Sequence, residues 1–379
     1  VLAEVHARPF HPVATPCRIL RFAFMTDFEA AARDRAALTA FCAARGLKGP
    51  VAGLNHCLVV MADVVLRWEQ HSEFTSYTCE IAGRDRFAFD RPASSLAHVM
   101  RDIPQPGPHL VSVDLHLMAE TPEEGLAALF DPSSLAAAVL DDGAALAATD
   151  FKVSSDGFVR YLVVNHEMSA EAAGALTQRL LEIETYRTLA LLGLPQAQEL
   201  APAVKITEDK LTDIAAAMTT TEGLEANHRL LDELMRTAAK LEADTTRSGY
   251  RFSATRAYEG IVAQRLETLR EKPVHGSQTF AAFLSRRMAP AMRTCAMMEE
   301  RQSRLADKVA RTANLLRTRV YVDLEEQNRI LMKSMNERTR LQLRMQQTVE
   351  GLSVAAVSYY VLGLIGYLFK GLKEAKFVA

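Results

Sequence analysis

The sequence predicts an α+β chain: a mixed α/β cytosolic head, then a long helical bundle, then a C-terminal transmembrane helix. Three observations carry that expectation. Patterns of period two are confined to the first ~165 of 379 residues. After Met168 the apolar residues recur only at helical spacing. Residues 351–369 then run for 19 positions without a charge, long enough to cross a hydrocarbon layer of ~30 Å. The expected divisions are a mixed α/β domain at 1–167, a helical domain at 168–276, a long stalk helix at 277–350 and the span at 351–369.

Composition narrows the function classes. With 49% hydrophobic and 24% charged residues the chain can build a packed core and is not a disordered polymer. Aromatics are only 7%, with one Trp, which suits long helices better than an all-β sandwich. A net charge of −2 disfavours a nucleic-acid binder driven by overall basicity. The five cysteines, Cys17, Cys42, Cys57, Cys79 and Cys295, are odd in number and never form a C-x-x-C pair. Neither a disulfide framework nor a zinc cluster is suggested, which points to a reducing compartment. No basic-then-apolar secretory pattern opens the sequence, and a few leading residues are expected before Val1.

In chain order, residues 15–26 suit a partly buried strand. Asp27 can cap an Ala-rich helix over 29–45, stopped by Gly46. Residues 57–66 and 74–81 read as two strands, with the polar segment 69–73 between them or on one of them. Residues 110–117 alternate Ser112, Asp114 and His116 against Val111, Val113, Leu115 and Leu117, the pattern of a sheet with one wet face. A last pair is expected at 147–153 and 159–165, turned by Ser154-Ser155-Asp156-Gly157. Ser169 with Glu171 opens a helix that runs to Gly193-Leu194-Pro195. Further helices are expected at 208–246 and 258–271, and Pro273-Val274-His275-Gly276-Ser277 is the strong breaker after them.

Residues 291–350 contain neither Gly nor Pro and would extend ~90 Å as one helix. Leu305, Val309, Ala313, Leu316, Val320 and Leu324 begin a stripe that steps by three and four through Leu331, Leu341 and Met345 to Leu352. Polar members interrupt it: Gln327, Ser334, Arg338 and Thr348. In a dry seam they must pair with one another; otherwise they face a hydrated axis. Arg338 then either pairs with an acid such as Glu337 of a neighbour, stands hydrated near the axis, or drifts to a rim where it meets anionic headgroups. Basic residues flank the uncharged run, Arg340 and Arg344 before it and Lys370, Lys373 and Lys376 after it, and Tyr367 stands where an interfacial aromatic would. The alternative to a membrane span is a buried helix of the core. Within the run, Ser358, Tyr359, Tyr360, Gly363 and Gly366 favour helix-to-helix contact. The near-equal flanks leave orientation open. A cytoplasmic N-terminal mass rests on the lack of a signal and the unpaired thiols.

No P-loop, G-x-G-x-x-G, G-x-S-x-G or H-E-x-x-H occurs. No catalytic residue is assigned, and no cofactor or metal is named by the pattern. Two constellations remain as ligand or metal candidates. Glu4, His6 and Arg8 alternate along an extended segment, as an anion or metal site or as a salt-bridged terminal strand. Glu69, His71 and Glu73 are expected on one strand face, as a divalent-ion patch or as solvated edge residues. His166-Glu167 reads as a first-turn acid favoured by the helix dipole.

Five segments together resemble the bacterial membrane-anchored proteins grouped as domain of unknown function 3422. They are Glu4-Val5-His6-Ala7-Arg8-Pro9-Phe10, Trp68-Glu69-Gln70-His71-Ser72-Glu73-Phe74, Glu184-Thr185-Tyr186-Arg187 with the residues through Pro195, Arg286-Arg287-Met288-Ala289-Pro290 with the residues through Cys295, and Glu350-Gly351-Leu352-Ser353-Val354. The resemblance spans nearly the whole chain. It implies a cytosolic body and a C-terminal anchor, with a second apolar span expected beyond Ala379. The architecture is also similar to the CorA-type divalent-cation channels, although Gly371-Leu372-Lys373-Glu374-Ala375 does not match that family's Gly-Met-Asn signature.

The expected function is therefore a homo-oligomer of three or more chains in the bacterial inner membrane, with its N-terminal bulk cytoplasmic. One reading is a CorA-like ion channel or transporter with a regulatory head, in which Gln327, Ser334, Arg338, Thr348, Ser358 and Tyr359 approach the axis. The other is a membrane-anchored scaffold without transport. The expected partners are the bilayer, further copies of the chain and an ion or small ligand, but not nucleic acid.

Overall fold

The computed structural model describes residues 11–61, 64–83, 88–89, 103–122 and 125–374. The elements in order are β1 (Cys17–Met25), α1 (Phe28–Ala43), β2 (His56–Val60), β3 (Val64–Gln70), β4 (Phe74–Ala82), β5 (His109–Met118) and the single turn α2 (Leu126–Leu129). They continue with β6 (Ala136–Leu140), β7 (Ala145–Val153), β8 (Val159–Asn165), α3 (Ala170–Leu191), α4 (Gly193–Thr220), α5 (Leu224–Thr268), β9 (Lys272–Pro273) and α6 (Phe280–Glu374). The α+β class is as the sequence predicts.

The described strands form one nine-stranded sheet in the order β2-β3-β4-β1-β5-β8-β7-β6-β9. Among the described strands, only β5 and β8 pair in parallel. Alternation on the central strands divides the core. Ile19, Ala23, Val113, Leu115 and Leu117 face α3 with the helical residues Leu176, Leu180, Val262 and Phe280. Leu20, Phe22, Phe24, Leu66, Trp68 and Tyr77 face α1 through Leu38 and Cys42. Asp27 caps α1 by accepting from the Ala30 amide at 2.7 Å, and Ser169 does the same for α3 from Ala172 at 3.3 Å.

Several elements differ from the sequence expectation. The run 57–66 is two strands, β2 and the start of β3, folded back so that Val60 pairs with Val65. β6 reads Ala-Ala-Ala-Val-Leu, which has helix-forming composition, yet Ala136, Ala137 and Ala138 are completely buried and their small side chains suit that crowded site. β9, Lys272–Pro273, runs into the first residue of the breaker 273–277 and pairs with β6. The alternating face of β5 is polar but not wet: Asp114 is 0% and His116 3% exposed. Arg18 on the neighbouring strand supplies a counter-charge in place of the hydration that an exposed carboxylate would have.

The helices are also partitioned differently. Gly193 does not stop the chain for long. It marks a close crossing, where a Cβ would stand 2.4 Å from Thr255 Oγ1 and 3.1 Å from Cys295 Sγ. The expected helices 208–246 and 258–271 are instead α4 and α5, separated at 221–223, where Gly223 takes φ +94°. The chain divides into two compact units, Val1–Lys205 with Ala243–Ser303 and Ile206–Glu242 with Arg304–Ala379. That division does not fall at 167, 276 or 350, because α3 packs on the sheet and the segment 168–276 contributes to both units.

In the second unit Leu305, Val309, Ala313 and Leu316 of α6 are buried with Leu211, Ile214, Leu234 and Leu241. The inner end of this packing is clamped. The Arg319 guanidinium donates to the carbonyls of Met218 and, at 2.7 Å, Thr221. Asp323, one turn on, accepts from Asn227 Nδ2 at 2.6 Å. Beyond Asp323, α6 is exposed at every described position except the half-buried Ser334.

Candidate functional site

In the first unit, two of the segments that carry the family resemblance meet. Residues 68–74 form the end of β3, a tight turn and the start of β4, closed by the His71 amide donating to Phe74 O at 2.8 Å. Residues 184–187 lie on α3. Arg21 of β1 joins them, with Nε donating to Thr185 Oγ1 at 3.2 Å and Nη1 to Glu69 Oε2 at 3.4 Å and Thr78 Oγ1 at 3.1 Å. All three partners and Arg21 are buried. On the same helix, Glu184 accepts from Tyr161 at 3.0 Å and from Arg187 Nη2 at 2.5 Å.

A cleft of about 510 Å³ opens beside the turn, lined by Asp27 and Phe28 of α1's start, Asn55, residues 70–72, Phe74, Tyr186 and Tyr258. Its wall is aromatic. His71 stacks on Phe74 with ring centres 4.0 Å apart, Phe74 meets Tyr186 edge-on at 5.9 Å, and Tyr186 stacks with Tyr258 at 5.5 Å. Phe28 at the cleft is 88% exposed. Behind the wall, Arg251 grips Glu73 through two bonds of 3.1 and 2.9 Å. Burial, reinforced by the hydrogen bond and charge of Glu73, holds the Tyr258 phenol well above its usual range. Asp34 closes the opposite face of the sheet, accepting from Trp68 Nε1 and the Tyr77 hydroxyl at 2.7 Å each. Its carboxyl is nonetheless pushed up, because burial outweighs those two bonds.

The sequence candidates are distributed unevenly over this geometry. Glu69, His71 and Glu73 do not share a strand face: Glu69 is the penultimate residue of β3, His71 and Glu73 lie in and next to the turn, and both carboxylates are held by arginines. Among the described residues no group of three His, Cys, Asp or Glu is placed to hold a metal ion. Glu4, His6 and Arg8 lie outside the described residues. His71 is the predicted head candidate that lines the cleft. Tyr258 and Arg251 join it from α5, some 180 residues away, with no local signal to announce them. What the site can do is stack a planar or apolar group against four rings, with amide and hydroxyl groups of Asn55, Gln70 and Ser72 at its edge.

The remaining candidates lie on α6. At ~100° per residue, Gln327, Ser334, Arg338, Thr348, Tyr359, Gly363 and Gly366 fall within about 80° of arc. Ser358 turns about 140° away from Gln327 and does not share that face. Apart from the helix's own neighbouring backbone, no described atom stands within 4 Å of a Cβ built on Gly363 or Gly366. The stretch 351–369 belongs to a helix that is long and apolar enough to cross a membrane, and its most apolar part is not buried at all within the chain. Leu352 is 67%, Leu362 69% and Phe369 68% exposed.

The sequence model of a family described as "Protein of unknown function (DUF3422)" matches residues 1–379. No curated protein and no solved structure matches the chain.

Proposed function

We propose that this chain, which belongs to the DUF3422 family, is a membrane-anchored homo-oligomer of the bacterial inner membrane with its head on the cytoplasmic side. The single observation that carries the reading is the uncharged stretch 351–369, continuous with α6 and wholly uncovered. Nineteen uncharged and mostly apolar residues left in water forfeit roughly 25 cal/mol for each Å² of apolar surface, which lipid restores. The head has no assigned catalytic role. Its aromatic cleft supports a binding function, a small planar ligand or a partner side chain, in an organising protein held at the bilayer. Washing membranes with alkaline carbonate tests the anchor: the full chain should stay in the pellet, and its release into the supernatant would refute the reading. Protease added to inverted inner-membrane vesicles should digest the head, whereas right-side-out vesicles should protect it.

A second reading is ion conduction along the axis of the oligomer, in a CorA-like arrangement with the head as regulator. What favours it is the polar set Gln327, Ser334, Arg338 and Thr348 on the same arc as Tyr359; Ser358 is not part of that set. A ring of Arg338 side chains would repel cations, so this pore would prefer anions. Conductance of the purified protein in planar bilayers, with Arg338→Glu reversing the selectivity, tests it. Silent bilayers with the oligomer intact leave the organising role.

A further inference from the structure

The stripe on α6 changes its period at the place where the chain stops covering it. From Leu305 to Leu324 it steps 4, 4, 3, 4, 4, so residues recur every 11: Leu305 with Leu316, Val309 with Val320, Ala313 with Leu324. An 11-residue repeat stays close to the natural 3.6 residues per turn and suits a helix packed on its own neighbours. Leu305, Val309, Ala313 and Leu316 of that part are buried within the chain. From Leu324 onward the steps are 3, 4, 3, 4 without exception to Leu352, a strict seven-residue repeat. Such a repeat drifts about 20° per heptad on a straight helix and keeps its seam closed only by supercoiling with another helix.

We infer that residues 324–352 form a parallel, in-register, left-handed coiled coil of three or more copies of this chain, closed by an ion pair between Arg338 of one copy and Glu337 of the next. This rests on the membrane reading, because a common span at 351–369 gives every copy the same direction and depth. Position a of the heptad holds Leu324, Leu331, Arg338, Met345 and Leu352. Position d holds Gln327, Ser334, Leu341 and Thr348. The outward positions b, c and f are polar except Met332 and Leu343. Pairs between g and the following e′ are Ile330 with Met335, Glu337 with Gln342 and Arg344 with Val349, so no like charges oppose one another. Ile330, Met335 and Val349 widen the apolar arc beyond a and d, which is more than a two-stranded seam covers. Leu331 is 58%, Leu341 61% and Met345 70% exposed in the single chain, so this surface has no cover of its own. Among the described residues neither Glu337 nor Arg338 makes an ion pair, whereas Glu326 and Arg329 on the outer side pair at 2.8 Å. In a parallel coil a residue at a abuts the preceding g of the neighbouring strand, which puts Arg338 against Glu337′ and gives the buried guanidinium its counter-charge.

The test uses the full chain in native membranes with single cysteines added at a (Leu331→Cys, Met345→Cys) and at outward positions (Lys333→Cys, Asn336→Cys), oxidised with copper phenanthroline. The unsubstituted chain reports any background from the head thiols. The a-position variants should give covalent dimers at least five-fold more than the outward ones. Arg338→Glu should cut the Leu331→Cys yield several-fold, and adding Glu337→Arg should restore it. Light scattering of the unsubstituted protein in detergent should give three or more chains. Equal yields at inward and outward positions, no cross-link in protein that resists the carbonate wash, a monomeric mass, or no rescue by the double reversal would each overturn the coil while leaving the anchor standing. Release of the variants and the unsubstituted chain by carbonate would overturn both.

Discussion

Arg18 of β1 and Asp114 of β5 hold each other through two parallel bonds, Nε to Oδ1 at 2.9 Å and Nη2 to Oδ2 at 2.8 Å, with 3% and 0% of their side chains exposed. Removing the acid leaves the guanidinium buried without its main counter-charge. Asp114→Leu should therefore destabilise the head by about 3–5 kcal/mol. The double variant Arg18→Met/Asp114→Leu should lose less than the single one. Urea unfolding followed by the fluorescence of the sole tryptophan, Trp68, measures both.

The same pair sets an acid limit. Burial tends to raise the Asp114 carboxyl, but the hydrogen bonds and charges of His116 and Arg18 outweigh it and hold it below the usual carboxylate range. A folded value below the unfolded one, about 3.9, means a contribution fully present above that pH and lost as pH falls through the folded value. The melting temperature of the native chain should drop more steeply below pH ~4 than that of Asp114→Asn. Parallel curves would show that this carboxyl is not the titrating group.

At the clamp of the second unit, Arg319→Ala removes the donor to the carbonyls of Met218 in the last turn of α4 and of Thr221 just after it, and Asp323→Ala removes the acceptor of Asn227. Each should cost about 1–2 kcal/mol and act locally. Hydrogen exchange should quicken around 217–228 in both variants while the sheet amides stay protected.

The five thiols should react in an order fixed by burial. Cys17 and Cys79 are pushed up to about 12, chiefly by desolvation and then by the charge of Glu80. Cys57 is only half-buried. Iodoacetamide at pH 8 should modify Cys57 first in the native protein and reach Cys17 and Cys79 only after unfolding, as mass spectrometry of peptides would show. Rapid labelling of Cys79 in the folded chain would contradict its packing.

Much of this fold is written locally. Asp27, Ser169 and the alternation of 110–117 act within a few residues, so the sequence places α1, α3 and β5 correctly. Polarity alone, however, does not reveal whether Ser112, Asp114 and His116 meet water or a guanidinium from another strand. β6 and β9 are strands because of what packs on them, and their own composition argues otherwise. The cleft is half legible in the sequence: His71 and Tyr186 fall in distinctive segments, whereas Arg21, Arg251 and Tyr258 are ordinary residues until folding brings them together. On α6 the seam is visible in the sequence, but its handover from the chain's own helices to an open face at Asp323 depends on where the turn 221–223 ends.

The second unit is woven from two separate stretches, Ile206–Glu242 and Arg304–Ala379, with a return to the first unit in between. A shortened chain is therefore not free to stop at any convenient place. Ending at Ser303 would discard Leu305, Val309, Ala313 and Leu316 and strand the apolar sides of Leu211, Ile214 and Leu234, inviting aggregation of an otherwise intact head. Ending just after Asp323 retains the clamp and sheds both the exposed heptads and the lipid-loving stretch. The natural cutting point for a water-soluble version is a single helical turn in the middle of a 95-residue helix.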